Sequence, residues 1–74
     1  MTRLPRVTAW DVERVLLKTG FQLSHTKGSH RSYTKGGKRV IVSFHGSKVI
    51  PPGTLRSILR QAALSVEEFQ ELLH

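Results

Sequence analysis

The sequence predicts an α+β protein in which a three-stranded antiparallel sheet carries helices on one of its faces. Three observations predict this fold: apolar residues at helical spacing over residues 8–19, alternating residues over 21–44 interrupted by glycine turns, and a second helical pattern after Pro51. A chain of 74 residues can build one modest hydrophobic core. We therefore expect a single domain over residues 1–74, with the second face of the sheet open to water.

The first helix is predicted over residues 8–19, and both of its ends have recognisable signals. Thr8 is typical of an N-cap, and Asp11 occupies the capping-box position three residues later. Gly20 suits the left-handed position after the last turn, where Phe21 would fold back onto the helix. The apolar face is formed by Val12, Val15, Leu16 and Thr19.

Three strands are predicted next, over residues 21–26, 29–35 and 39–44. Gly36 and Gly37 form a hairpin turn between the last two, because glycine accepts positive φ angles. Val40 and Val42 alternate with Ile41 and Ser43 in the clearest strand. The facing of the middle strand stays open, since Tyr33 favours one face but the periodicity does not decide it.

Two further helices are predicted after the sheet. Residues 51–54, with the sequence Pro-Pro-Gly-Thr, end the extended chain and begin the second helix. Ser65 begins the third helix, with Glu68 completing a capping box. The apolar faces are Leu55, Ile58, Leu59 and Ala62 in the second helix, and Val66, Phe69, Leu72 and Leu73 in the third.

The charge is strongly positive and unevenly distributed. Twelve Lys and Arg against five acids give +7, with a pI near 11.0. Residues 1–60 hold all twelve bases and two acids, a balance of +10, whereas residues 61–74 hold three glutamates and no base, a balance of −3. This pattern favours a nucleic-acid-binding surface. The alternative is an ordinary solvated surface.

Composition excludes several classes of site. There is no cysteine, which excludes disulfides and thiolate metal ligands. The spacing of the four histidines predicts no metal site, and no phosphate-binding glycine loop is present, so we expect no cofactor. No apolar run is long enough to span a membrane, and residues 1–6 lack the apolar segment of a leader peptide. The expected location is cytoplasmic.

The most informative segment for chemistry is residues 27–33. His30 begins a predicted strand directly after a Lys-Gly-Ser turn, and Lys27, Ser29 and Arg31 flank it with cations and donors. Such a setting would hold a phosphodiester beside an imidazole, the side chain that changes charge near neutral pH. A solvated surface histidine explains the same residues.

Further bases cluster around the predicted strand ends: Lys35, Lys38, Arg39 and Lys48. They could follow the phosphates of a bound RNA. Each of them alone would also serve as a charged residue that protects the edge of a sheet from association.

Several blocks of the sequence carry recognisable motifs: residues 4–7, 16–21, 28–30 with Tyr33, 52–62 and 65–69. Through these blocks the chain resembles the HicA toxin family, over residues 4–73. Gly28-Ser29-His30 is the most specific stretch, and the segment from Pro52 to Ala62 is the second signature. One departure is Ala63, since many members of that family have the sequence Gln-Ala-Gly here, with glycine at this position.

The resemblance implies a double-stranded-RNA-binding-domain-like fold, in the order α-β-β-β-α with a short C-terminal helix. It also implies the toxin component of a type II toxin–antitoxin system, an endoribonuclease that cuts mRNA, with its catalytic histidine at His30. A HicB-type antitoxin protein is the implied inhibitor. We expect a monomer when the chain is free and a hetero-oligomer with the antitoxin.

The corresponding mechanism is a metal-independent cleavage in which neutral His30 removes the proton of the RNA 2′-hydroxyl. His45 is the first candidate for the leaving-group acid, although a plain loop histidine is the simpler interpretation, and His25 is interpreted as a strand-surface residue. The main alternative function is a non-catalytic RNA-binding module of the same fold. A helix-turn-helix DNA reader is disfavoured because the would-be recognition helix carries three glutamates.

Overall fold

The computed structural model describes residues 3–74; Met1 and Thr2, which begin the segment expected to lack a leader peptide, lie outside the described residues. The elements are α1 (Ala9–Lys18), β1 (Gln22–Lys27), β2 (His30–Lys35), β3 (Lys38–Ser43), α2 (Pro52–Ala62) and α3 (Val66–Leu73). The predicted α+β arrangement is confirmed, with each strand boundary within one residue of its prediction. No helix within residues 3–74 is both long enough and apolar enough to cross a membrane.

Helix α1 is fixed by local signals at both ends. The Thr8 hydroxyl accepts a hydrogen bond from the Asp11 backbone N–H, while the Asp11 carboxylate accepts one from the Thr8 N–H at 3.0 Å. At the other end Gly20 has φ +99°, and the Phe21 N–H donates to the Leu16 carbonyl at 3.0 Å. This bond pattern is a Schellman closure, as the sequence predicts.

The junction between α2 and α3 shows the consequence of the Ala63 departure. Ala63 adopts the left-handed conformation with φ 57° and ψ 40°, and the Leu64 N–H donates to the Leu59 carbonyl at 2.9 Å. A left-handed conformation costs a residue with a Cβ atom about 1–2 kcal/mol. The chain keeps the closure geometry here without the glycine that best suits it. Helix α3 then begins with the predicted Ser65–Glu68 capping box.

The sheet is a meander in the order β1-β2-β3, with both neighbouring pairs antiparallel. Each hairpin turn begins with a glycine in the left-handed region, Gly28 and Gly36, both with φ +58°. Positive φ at the first turn residue is the requirement of a type II′ turn. The turns fix the register, so that Lys27 pairs with His30 and Lys35 pairs with Lys38.

The helices cover one face of the sheet, and the other face is open. Tyr33, Val40 and Val42 point towards the helices and are at most 1% exposed. Tyr33 therefore lies on the helix-facing side of β2, a point that the periodicity alone does not decide. The cross-strand neighbours on the other face include Ile41, which remains 47% exposed. The buried core comprises Val7, Ala9, Val12, Val15, Leu16, Phe21, Tyr33, Val40, Val42, Ile50, Leu55, Ile58, Leu59, Ala62 and Phe69.

An irregularity in β1 decides which of its side chains reach the open face. The pairing runs from Leu23 opposite Tyr33 directly to His25 opposite Ser32, which leaves Ser24 as an additional, bulged residue. Since alternate residues of a strand face opposite sides, one extra residue reverses the phase of all that follow. His25 and Lys27 therefore lie on the open face, whereas strict alternation from Leu23 would have turned them towards the helices.

Candidate active site on the open face of the sheet

His30 is held at the first position of β2, at the end of the Gly28–Ser29 turn. Its side chain is exposed, and its backbone belongs to the central strand of the sheet. The turn itself is tied down, because the Phe44 N–H donates to the Ser29 carbonyl at 2.7 Å. The fold thus presents an accessible imidazole on a rigid element, which is the arrangement that general-base chemistry requires.

Two side chains flank His30 across the open face. Lys27 of β1 and Ser43 of β3 are its direct cross-strand partners. Neighbouring strands lie about 4.7–4.9 Å apart, so all three side chains share one row. This row combines a cation, an imidazole and a hydroxyl on a surface that is open to a ligand.

A second row lies one step further along the strands. His25 is opposite Ser32, and Ser32 is opposite Ile41. The Arg39 guanidinium, from the row beyond, donates to the Ser32 hydroxyl at 3.4 Å. The Ser24 hydroxyl donates to the Ser32 carbonyl at 3.1 Å and so satisfies a group beside the bulge. Arg39 therefore extends the positive charge of the open face towards His30.

Arg31 follows His30 in sequence but lies on the helix-facing side of β2. Its guanidinium donates to the Glu13 carboxylate at 2.8 Å and stacks on Phe44, 4.5 Å from the ring centre, and on Trp10 at 5.1 Å. The hydrogen bond with Glu13 raises the pKa of Arg31. The structure therefore does not bring Arg31 to the row of His30, although the two residues are adjacent in the chain.

Glu13 is the central group of this internal cluster, a role that no sequence pattern indicates. The Tyr33 hydroxyl donates a hydrogen bond to the same Glu13 carboxylate oxygen that accepts one from the Arg31 guanidinium. Burial raises the pKa of the Tyr33 hydroxyl, and the negative charge of Glu13 adds to the shift. The partners are 18 and 20 residues apart in sequence, so no local pattern could have revealed them.

The remaining predicted RNA contacts are spread over the molecule. The Lys35 ammonium faces the helices, donating to the Thr19 carbonyl at 2.5 Å and lying over the Phe21 ring at 5.8 Å. Its partner Lys38 is exposed at the far hairpin turn. Lys48 is exposed in the loop between β3 and α2, where it lines a shallow groove of about 390 Å³.

That groove begins beside the row of His30, since Ser43 belongs to both. Its polar lining consists of Ser43, His45, Lys48 and Thr54, and its floor is apolar. His45 thus lies on the β3 side of the sheet, beyond Ser43. Over residues 3–74, no group of three or more His, Cys, Asp or Glu residues is placed to hold a metal ion.

Comparison with known families identifies the chain. The family model described as the HicA toxin of bacterial toxin–antitoxin systems matches residues 10–64. The chain belongs to the HicA toxin family. The match includes α1 from its second residue, the whole sheet and α2, and therefore every residue of the open face described above. Comparison with curated protein sequences gives no match. Membership implies a toxin–antitoxin partnership.

Proposed function

We propose that this HicA toxin is a metal-independent endoribonuclease that cuts mRNA, with His30 as the general base, and that a HicB-type antitoxin inhibits it. The observation that supports the proposal best is the open-face row of Lys27, His30 and Ser43. An exposed imidazole with a cation beside it, in a chain with net charge +7, suits a phosphodiester substrate.

The proposed reaction uses the 2′-hydroxyl of the RNA as the nucleophile. Neutral His30 removes the hydroxyl proton as the oxygen attacks the adjacent phosphorus, and the bond to the 5′-oxygen of the next nucleotide breaks. The products are a 2′,3′-cyclic phosphate and a free 5′-hydroxyl, and no water is consumed. A positioned general base typically accelerates such a step about 10²–10⁴-fold.

The bases of the open face are the proposed phosphate contacts. Lys27 lies beside His30 and would offset charge that grows on the phosphoryl oxygens. Ser29 in the turn before His30 and Arg39 on the open face are exposed, and we expect them to contact the flanking nucleotides. Lys48 is exposed beside the groove beyond Ser43 and is the proposed contact there. Lys38, at the far hairpin, stays a prediction for phosphates further along the RNA, whereas the Lys35 ammonium is bound to the Thr19 carbonyl on the helix-facing side. Arg31 is left out of this set, because Glu13 holds it on the other side of the strand.

Incubation of end-labelled RNA with the purified protein in EDTA tests the activity. The wild type should produce fragments that end in a cyclic phosphate, and His30→Ala should cut about 10²–10⁴-fold more slowly. His74→Ala is the matched control, because it removes another exposed imidazole, at the end of α3. Both variants should unfold at the wild-type temperature.

Two results would contradict parts of the proposal. Cleavage by His30→Ala at the wild-type rate would remove His30 from the mechanism. Retarded but intact RNA with the wild-type protein would make the chain a non-catalytic RNA-binding module.

Inhibition by the antitoxin is tested separately. The HicB-type protein encoded beside the gene should stop cleavage when it is added to the toxin. A strongly basic surface favours an acidic partner, so the inhibition should weaken as salt is raised. Full cleavage at low salt with the antitoxin in excess would contradict the partnership as proposed.

A further inference from the structure

Breaking the bond to the 5′-oxygen leaves an alkoxide, which departs readily only if a proton reaches it. A second positioned group must therefore act as a general acid. The carboxylates of the chain do not lie on the open face, since Asp11 and Glu13 belong to α1 and the three glutamates of the C-terminal region belong to α3. Lysine ordinarily titrates near pH 10.4, far from neutrality, which makes it a poor acid for this step. Histidine is the side chain whose ordinary pKa suits a general acid near neutral pH.

The geometry points to His25. Lys27 is the direct partner of His30, and His25 lies two residues before Lys27 on the same face of β1. Diagonal neighbours of this kind are separated by roughly 7–8 Å, within reach of two imidazole side chains. A phosphate bound between the two rings would have its entering oxygen near one of them and its leaving oxygen near the other.

The bulge at Ser24 makes this placement possible. Without the reversal of phase at Ser24, the alternation that begins at Leu23 would direct His25 towards the helices. β-Bulges are frequent beside active sites, where they redirect a side chain. The Ser24 hydroxyl stabilises the irregularity through its hydrogen bond to the Ser32 carbonyl at 3.1 Å.

We propose that His25 is the general acid that protonates the leaving 5′-oxygen in the reaction started by His30. The inference rests on the proposed ribonuclease function. Protonated His25 donates its proton as the bond between phosphorus and the 5′-oxygen breaks, while His30 keeps the proton taken from the 2′-hydroxyl. Exchange of one proton with solvent at each ring restores the starting state. The charged groups facing His25 are Lys27 on its own strand, His30 on β2 and Arg39 on β3.

A substrate with sulfur in place of the bridging 5′-oxygen tests the assignment. A thiolate leaves without being protonated, so loss of a general acid slows cleavage of the oxygen substrate alone. His25→Ala should cut the oxygen substrate at least ~10²-fold more slowly and the sulfur substrate at close to the wild-type rate. His30→Ala should remain slow with both substrates, because the 2′-hydroxyl still requires a base.

The pH profile gives a second readout that a purely structural role of His25 would not change. Wild-type kcat/KM should be bell-shaped, and His25→Ala should lose the alkaline limb, where the acid is deprotonated. His25→Gln checks that the loss does not come from the size of the side chain, and thermal unfolding checks that each variant is folded. His74→Ala should behave as wild type with both substrates.

The outcomes separate the two proposals. Wild-type cleavage of the oxygen substrate by His25→Ala, with His30→Ala inactive, would overturn the role of His25 and leave the ribonuclease function standing. A sulfur-specific recovery in His45→Ala instead of His25→Ala would overturn it in favour of the histidine that lines the groove beyond Ser43. Absence of cleavage by the wild type with both substrates would refute the ribonuclease function itself.

Discussion

The two faces of strand β2 both carry polar side chains, but those on one face are open to a ligand and those on the other hold α1 to the sheet. His30 and Ser32 point to the open face, where they meet a cation from each neighbouring strand. Arg31 and Tyr33 point to the helices, where the Glu13 carboxylate of α1 accepts a hydrogen bond from each of them. Adjacency in sequence therefore says little about shared function within a strand. Arg31 follows His30 directly, yet it serves the attachment of α1 to the sheet.

The helix-facing cluster also shows that net charge overstates the basic surface available to a ligand. Arg31 is paired with Glu13, and the Lys35 ammonium is bound to the Thr19 carbonyl. These two cations stabilise contacts between α1 and the sheet. Lys27, Arg39 and Lys48 remain on surfaces that an RNA could reach.

Glu13→Ala should have the largest effect on stability, and it should disrupt only the helix-facing cluster of Glu13, Arg31 and Tyr33. It leaves Arg31 and the buried Tyr33 hydroxyl without their acceptor, so we expect the free energy of unfolding to fall by about 2–3 kcal/mol. Urea denaturation measures the loss. RNA cleavage per folded molecule should be unchanged, because Glu13 lies behind the sheet.

Two variants sharpen this test. Tyr33→Phe removes one of the two hydrogen bonds to Glu13 and should cost about 1 kcal/mol. Glu71→Ala removes an exposed carboxylate of α3 and should change stability by less than about 0.5 kcal/mol. An effect of Glu13→Ala no larger than that of Glu71→Ala would show that the cluster does not hold α1 to the sheet.

Replacing Lys27 or Arg31, the two cations nearest to His30 in sequence, with alanine gives the next effect in size. Lys27→Ala should weaken RNA binding about tenfold at low salt, or roughly 1.4 kcal/mol, with stability unchanged. Its salt dependence should also become shallower by about 0.7 in log–log slope, the value for one lost phosphate contact on a single strand. Arg31→Ala should do the reverse and lower stability while RNA affinity remains.

Binding assays over a range of salt concentrations, with denaturation of the same samples, check this pair. If both variants lost RNA affinity equally, the division between the faces would not hold for the bound state. If neither did, Lys27 would not be a phosphate contact.

The elements themselves were predictable because their signals are local. Thr8 and Asp11 are three residues apart, and Gly20 directly follows α1, so the caps could be read from a short window. The strands were found from alternation and from glycine turns. The left-handed conformation of Ala63 is not predictable in the same way, since alanine disfavours it and no glycine marks the end of α2.

The site was predictable only in part. His30 and Lys27 could be paired from the turn between them, whereas the faces of β1 depend on a bulge that no local pattern indicates. Glu13 was invisible as a partner because its contacts join residues 18 or more positions apart. Sequence therefore singled out His30 as the candidate base, and three-dimensional pairing was needed to separate the cations that could contact RNA from those that stabilise the fold.

The smallest predicted effect is the change in stability with pH that Glu68 causes. We expect this change at low pH, outside the range in which cleavage on the open face is measured. Hydrogen bonds from the Ser65 backbone and hydroxyl hold the pKa of Glu68 below its usual value of 4.5. A carboxylate with a lowered folded-state pKa stabilises the fold above the unfolded-state value, and the contribution is lost as pH falls through the folded-state value.

Glu68→Gln keeps the cap but removes that titration, so wild type should be slightly the more stable at neutral pH. The difference should persist from about pH 8 to 5 and disappear only below about pH 4.5. Thermal unfolding of both proteins across this range checks it. A difference that already changed between about pH 5 and 8 would contradict the lowered pKa of Glu68. In that case a bell-shaped cleavage profile could no longer be assigned to the open face alone.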